Sequence, residues 1–109
     1  MPFPDADLSI VTEEKVCEYL LNPAHPVGGP KAIWFLSLGY TIEKWHLLAV
    51  DLCHVAVSCN DFVVKSSPYG VKFETAGRIA VPPHRAGRVV VVWIVEENTR
   101  PRLVTAYPE

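Results

Sequence analysis

The sequence predicts an α+β domain whose N-terminal helices pack on one face of a roughly four-stranded antiparallel sheet. Between Thr12 and Val57 the apolar residues recur at helical spacing, and from Phe62 onward the period switches to that of strands. The third observation is the segment Val89 to Val95, an unbroken β-branched and aromatic run too short to span a membrane, followed beyond Glu96–Pro101 by the apolar run Leu103 to Tyr107. A run without polar alternation reads as a strand covered on both faces. The two runs therefore predict an antiparallel hairpin at the middle of the fold, with the strand of Thr105 a central one. Sequential hairpins need no crossover, so a meander is the simplest topology.

With 109 residues, half of them hydrophobic, the chain is expected to be one domain, 1–109, that buries roughly two thirds of its unfolded surface without metal or disulfide. The three cysteines, Cys17, Cys53 and Cys59, are an odd number with no CxxC or His-rich spacing, so buried reduced thiols are expected. The net charge of −2 argues against binding nucleic acid by bulk electrostatics. Its distribution is uneven: through Asn60 seven acidic residues face three Lys, and from Asp61 five face seven Lys and Arg. The start, MPFPDADL, has neither a basic region nor a long apolar one, so no secretory signal, no membrane association and a cytoplasmic location are expected.

Met1–Ser9, with two prolines and two aspartates, is expected to form an irregular arm. Thr12 is an N-cap candidate with Glu13 and Glu14 in the favoured first turn, and Val16, Tyr19 and Leu20 set a helix ending near Leu21. Asn22–Pro30 holds three prolines and two glycines and must be a shaped loop. Pro30 opens a second helix to Leu38, burying members of the set Ile33, Phe35 and Leu36, with Gly39 as a left-handed stop. Thr41 caps a third helix, Ile42 to about Val57, whose stripe is Trp45, Leu48, Ala49, Leu52, Cys53 and Ala56; as the longest it is expected to lie across the sheet. Phe62–Lys65 is a short strand, Ser66–Gly70 a turn, and Val71–Val81 a strand with Val71, Phe73 and Thr75 on one face and Gly77 at a bulge or bend. Pro82–Gly87 connects to the C-terminal hairpin. There, alternation puts Leu103, Thr105 and Tyr107 on one face and Arg102, Val104 and Ala106 on the other.

The most distinctive local feature is HPVGGPKA, His25 to Ala32. A His on a rigid loop six residues before a Lys in the first turn of a helix places an imidazole and an ammonium at a helix N-terminus, which favours an anion such as phosphate. The competing interpretation makes His25 a loop cap and Lys31 a solvated charge. His46 and His54 share a helix face two turns apart, too far to bind one metal, and are expected to be solvated or packing residues. Thr105 and Tyr107 supply hydroxyls on the last strand, beside Arg102, and His84 and Arg85 occupy a turn; as structural residues, Tyr107 is core and Arg102 a surface charge. A His, a Lys, several Arg and hydroxyls without an acidic metal cluster match the needs of metal-independent RNA cleavage: a base for the 2′-hydroxyl proton, cations for the growing phosphorus charge, an acid for the leaving oxygen.

The segments YLLNPAHPVGGPKAIWFLSLGY (Tyr19–Tyr40) and VVWIV to PRLVTAYP (Val91–Pro108) resemble a small bacterial domain family marked by HPxG, Lys-Ala and a terminal PRLVTAYP strand. That family is in turn similar to the ribonuclease-toxin group of barnase, EndoU and RelE, in which helices precede a four-stranded antiparallel sheet. The resemblance implies a metal-independent endoribonuclease of the toxin type that needs no cofactor. Its candidate catalytic residues are His25, Lys31, Arg102, Thr105 and Tyr107, with His84 and Arg85 as substrate-binding candidates. RNA and a cognate antitoxin or immunity protein are the expected partners. The alternative is a non-enzymatic interaction module, partner-binding or immunity-like, or a homodimer formed through exposed sheet edges.

Overall fold

The computed structural model describes residues 1–109, in which three helical segments precede and pack on a four-stranded antiparallel sheet. The Thr12 hydroxyl accepts from the Lys15 amide at 3.1 Å and starts α1, Glu13–Lys15. The coil then widens into a π turn, Val16–Leu20, closed by the Leu21 amide on the Val16 carbonyl at 2.8 Å. That turn buries Val16 and Leu20, with Leu21 beyond it, and leaves Tyr19 half-buried.

Helix α2, Gly29–Ser37, buries Ala32 and Phe35, with Leu38 following. Ile33 and Leu36, expected inside, are 63% and 36% exposed. A nine-residue helix on the sheet's margin covers only a narrow stripe, and the i, i+3, i+6 series through Ala32, Phe35 and Leu38 occupies it. Gly39 stops the helix at φ 99°, as expected, with the His84 ring packed where a Cβ would stand. The third helix, α3, runs Trp45–Ser58, three residues later than expected, because Thr41 closes a tight turn of its own: its carbonyl and hydroxyl both accept from the Lys44 amide. Helix α3 buries Leu48, Ala49, Leu52, Val55 and Ala56.

The strands are β1 Val63–Ser67, β2 Gly70–Ile79, β3 Gly87–Val95 and β4 Arg102–Pro108, ordered β1-β2-β3-β4 as a meander. Gly77 is not at a bulge: β2 pairs with β3 without a break, and a Cβ at Gly77 would stand 3.1 Å from Val55, so this is where α3 presses on the sheet. The irregularity lies in β4 instead. Val92 pairs with Thr105 and Trp93 with Leu103, so Val104 is an extra residue. The insertion reverses the alternation expected for β4, and Leu103 and Ala106 are both buried in the core while Thr105 and Tyr107 lie opposite Val92 and Val90. Strand β4 is also an edge rather than a central strand, flanked outside only by the bridge from Ile10 to Arg102.

Strand β3 is central and covered on both sides. Val89, Val91 and Trp93 join the helix-side core, whereas Val92 and Ile94 are buried on the opposite face among Lys72, Glu74 and Arg102. The first nine residues, expected as an irregular arm, carry one 3₁₀ turn, Ala6–Leu8, and bury Phe3 in a 4.7 Å stack on Phe73. One polar group lies inside the sheet face: the Thr75 hydroxyl donates to the Val91 carbonyl at 3.0 Å and accepts from Trp93 Nε1 at 3.1 Å.

Thr75→Val should cost about 1–3 kcal/mol, because it leaves the buried Trp93 N–H without an acceptor; urea denaturation at constant slope measures the loss. Tyr40, buried and donating to Asp51 Oδ2 at 2.5 Å, has its phenol pushed far above the usual range, first by desolvation and then by the hydrogen bond and charge of Asp51. The unfolded phenol ionises first, so Tyr40 contributes stability in full below about pH 10 and loses it progressively as the pH rises further. Denaturation midpoints taken from neutral pH to about pH 11 should fall more steeply in the parent than in Tyr40→Phe.

Candidate functional site

Three segments distant in sequence meet at one ammonium group. Lys31 Nζ, from the first turn of α2, donates to the Tyr19 hydroxyl at 2.9 Å and to Thr105 Oγ1 at 3.2 Å, and those two oxygens lie 2.9 Å apart. Each partner is placed by a local irregularity. Tyr19 comes from the π turn, a feature frequent at functional sites, and Thr105 follows the extra residue of β4. An ammonium has three protons, so one remains for an anion approaching the half-buried cluster.

The Tyr19 phenol is held below its ordinary ionisation range. Burial would raise it, but hydrogen bonds from Lys31 and Thr105 and the charges of Lys31 and Lys15 together outweigh that. Both ammonium groups also sit over the ring, at 5.2 Å for Lys15 and 5.4 Å for Lys31 from its centroid. The cluster thus joins a cation, an acidified phenol and an aliphatic hydroxyl, a set suited to exchanging a proton beside an anion.

His25 stands edge-on to Tyr19 with ring centroids 5.0 Å apart. Its Nδ1 accepts from the amides of Val27 at 3.0 Å and Gly28 at 2.9 Å, and its carbonyl accepts from the Gly29 amide at 2.9 Å. His25 therefore closes the loop that leads into α2, its ring taking the amides of Val27 and Gly28 and its carbonyl the first amide of the helix. An Nδ1 that accepts carries no proton, so the neutral ring holds its proton on Nε2 and acts there as a donor. The loop closes over Tyr19 only because residue 28 is glycine: a Cβ there would lie 2.7 Å from Tyr19 Cδ1 and 2.8 Å from the Tyr19 carbonyl.

The remaining candidates lie apart. Arg102 bonds Glu96, its Nε at 3.2 Å from Oε1, and Tyr107 is half-buried opposite Val90. His84 packs on Gly39 and Arg85 reaches Ser37 Oγ at 3.3 Å, so both sit at the far end of α2 from Lys31, about 9 Å along the axis at 1.5 Å per residue. His46 and His54 are exposed. Burial pushes the Cys17 and Cys53 thiols up, with Glu13 and Glu18 adding to the effect at Cys17, which is the wrong direction for a thiolate nucleophile. No group of three or more His, Cys, Asp or Glu is placed to hold a metal ion.

Sequence periodicity makes Tyr19 a helix-stripe residue beside Val16 and Leu20 and does not mark it as part of a site. The signal that marks it is the paired glycine at 28 and 29, since glycines that no turn type demands point to a close approach by something bulky. Beside Tyr19 and His25 a cavity of about 440 Å³ is lined further by Thr12, Glu14, Lys15 and Glu18.

Lys31→Met should raise the Tyr19 ionisation, because it removes the hydrogen bond and the nearest charge that lower it. In an absorbance titration at alkaline pH the parent should show one of its four tyrosines ionising ahead of the free-tyrosine value of 10.0, and the variant should lose that early step. Gly28→Ala should produce a similar loss by displacing the Tyr19 ring.

Residues 2–109 match the family described as a domain of unknown function (DUF6883), and the chain belongs to that family. Comparison with curated proteins finds no match. Among solved structures, a chain of the contact-dependent growth inhibition toxin–immunity protein complex from Klebsiella pneumoniae 342 is similar, with a TM-score of 0.73, 18% identity, and coverage of 96% of this chain and 97% of that chain. At that identity the likeness is one of fold.

Proposed function

We propose that this domain is a toxin-type endoribonuclease that cleaves RNA without a metal ion, through the cluster of Tyr19, Lys31 and Thr105 with His25 beside it. The observation that carries the proposal is the 2.9 Å contact of the Lys31 ammonium with a phenol whose ionisation is lowered. The fold shared with a chain of a toxin–immunity complex supports the toxin assignment, and a cognate immunity or antitoxin protein is the partner proposed with it.

In the proposed reaction the Tyr19 oxygen, as phenolate, takes the 2′-hydroxyl proton. The 2′-oxygen bonds to phosphorus as the bond from phosphorus to the 5′-oxygen breaks, leaving a 2′,3′-cyclic phosphate and a 5′-hydroxyl. The third Lys31 proton faces the non-bridging oxygens, where a preorganised cation is worth most in the transition state. Thr105 fixes the Lys31 and Tyr19 geometry. His25 Nε2–H is a hydrogen-bond donor toward the leaving 5′-oxygen, which takes its proton from water, and the hydroxide so formed takes the proton held by Tyr19 and restores the phenolate. Arg102 and Tyr107, on the same strand as Thr105, contact neighbouring nucleotides, and His84 and Arg85 bind RNA beyond the far end of α2.

Purified protein with single-stranded and transfer RNA in excess EDTA should yield cyclic-phosphate ends. Lys31→Ala and Tyr19→Phe should each reduce the rate at least about 100-fold, the scale of losing one general acid–base or charge-stabilising group. Absence of cleavage, or cleavage unaffected by both variants, would refute the proposal. The second reading, an interaction module, rests on the β1 edge, where Val63 and Val64 are both 54% exposed. It predicts a concentration-dependent dimer in light scattering that Val64→Lys abolishes, with no action on RNA.

A further inference from the structure

We infer that the outer face of α3 is an interface with a second copy of this chain, the two helices lying side by side and parallel about a two-fold axis. The core takes the inner face of α3 through Leu48, Ala49, Leu52, Val55 and Ala56. On the other side Leu47, Val50, His54 and Val57 are all exposed, Val50 to 64%. They follow one another at spacings of three, four and three residues, the pattern of a seam between two packed helices. At about 100° per residue the four fall within about 80° of the helix circumference, a stripe that suits one partner helix.

Two open depressions flank the stripe, and Val50 lines both. One holds Ile10, Val11, Cys53 and Arg100, and the other Leu47, Asp51, Val81 and Pro82. Cys53 and Asp51 are turned from Val50 by about 60° and about 100° in opposite senses, so the depressions lie on opposite sides of the stripe. Arg100 and Asp51 therefore stand on opposite flanks of the same residue, and neither is in any of the three ion pairs of the chain. Each is held in place: Arg100 Nε donates to the Leu8 carbonyl at 2.8 Å, and Asp51 Oδ2 accepts from the Tyr40 hydroxyl at 2.5 Å. The terminal guanidinium nitrogens of Arg100 and Oδ1 of Asp51 are left for a partner.

The two flanks decide the occupant. A two-fold axis parallel to the helices exchanges them, so Arg100 of each copy meets Asp51 of the other, and Ile10 and Val11 of each face Val81 and Pro82 of the other. An axis perpendicular to the helices, which makes them antiparallel, sets each flank against itself and opposes Arg100 to Arg100 and Asp51 to Asp51. A closed pair needs a patch that complements itself, and opposed like charges suppress the wrong arrangement. Within the parallel seam each side chain meets its own copy, and His54 is the polar member that fixes the register at a cost in affinity. No residue of the stripe or its flanks belongs to the cluster of Tyr19, Lys31 and Thr105, so the pairing is independent of any action on RNA. It is also distinct from a dimer through the β1 edge.

Sedimentation of the full chain between about 1 and 200 μM should show a monomer–dimer equilibrium, as befits a small interface. Val50→Glu, which replaces a side chain that the monomer leaves in water, should give monomer throughout, and Val64→Lys on β1 should leave the equilibrium as in the parent. Arg100→Glu should weaken the dimer about tenfold, the scale of two exposed ion pairs exchanged for two like-charge contacts, whereas Arg100→Lys should stay within about threefold of the parent. His54→Leu should tighten it by at least about tenfold, because an aliphatic side chain completes the seam on both copies. Monomer at every concentration overturns the interface, and so does a dimer that Val64→Lys abolishes and Val50→Glu does not. A dimer lost in Val50→Glu but unchanged in Arg100→Glu overturns the parallel pairing, since antiparallel helices never bring Arg100 to Asp51.

Discussion

The Lys31 ammonium is the constraint on which the arrangement of this domain depends, because it ties together three pieces of chain that the core alone does not register. Tyr19, Lys31 and Thr105 belong to a π turn, a short helix and an edge strand, and they meet through hydrogen bonds of 2.9 to 3.2 Å. Helix α2 reaches the sheet through a narrow stripe, so its rotation is weakly fixed by apolar packing. A directional contact from its first turn to β4 supplies what a narrow stripe cannot, since hydrogen bonds specify angle and burial does not.

The cluster is presented by departures from regular structure, the extra residue of β4 and the π turn. The extra residue in β4 lets Leu103 and Ala106 both face the core while Thr105 is left to meet Lys31. Without it, strict alternation would place Thr105 on the same side as Leu103, inside the apolar layer, where a hydroxyl needs a buried partner. Thr75 shows what such a position requires: it is satisfied only because Trp93 Nε1 and the Val91 carbonyl lie on either side of it. The π turn acts similarly for Tyr19, shifting it relative to the buried pair Val16 and Leu20.

How much of this was legible follows from the same distinction. The order of helices and strands, the meander and the central place of Val89–Val95 follow from periodicity, which averages over many residues. Lys31 and Thr105 were identifiable as chemistry-bearing residues beside distinctive motifs. Their convergence was not, because the β4 register depends on one inserted residue that the pattern Arg102–Pro108 does not mark. Tyr19 was obscured for a related reason: at i, i+3, i+4 spacing an aromatic reads as core, and the widened turn that takes it out of the stripe depends on tertiary context. His25 was a candidate for chemistry and for capping, and its two backbone donors show it holding the loop and helix together.

The charge pattern bears on how such a site engages its substrate. The helical half that supplies Tyr19 and Lys31 is the acidic one, with Glu13, Glu14 and Glu18 beside the cluster, so a polyanion is not drawn there by a broad basic field. Three cations outside it are already paired, Lys65 with Glu74, Arg88 with Glu109 and Arg102 with Glu96. Affinity through released counterions scales with the number of phosphates neutralised, and few unpaired cations lie near the cluster. Under the ribonuclease reading, recognition then has to come from short-range contacts to a base and one phosphate. Such contacts tolerate salt, and they favour an RNA that exposes the right nucleotide in a loop over any stretch of backbone.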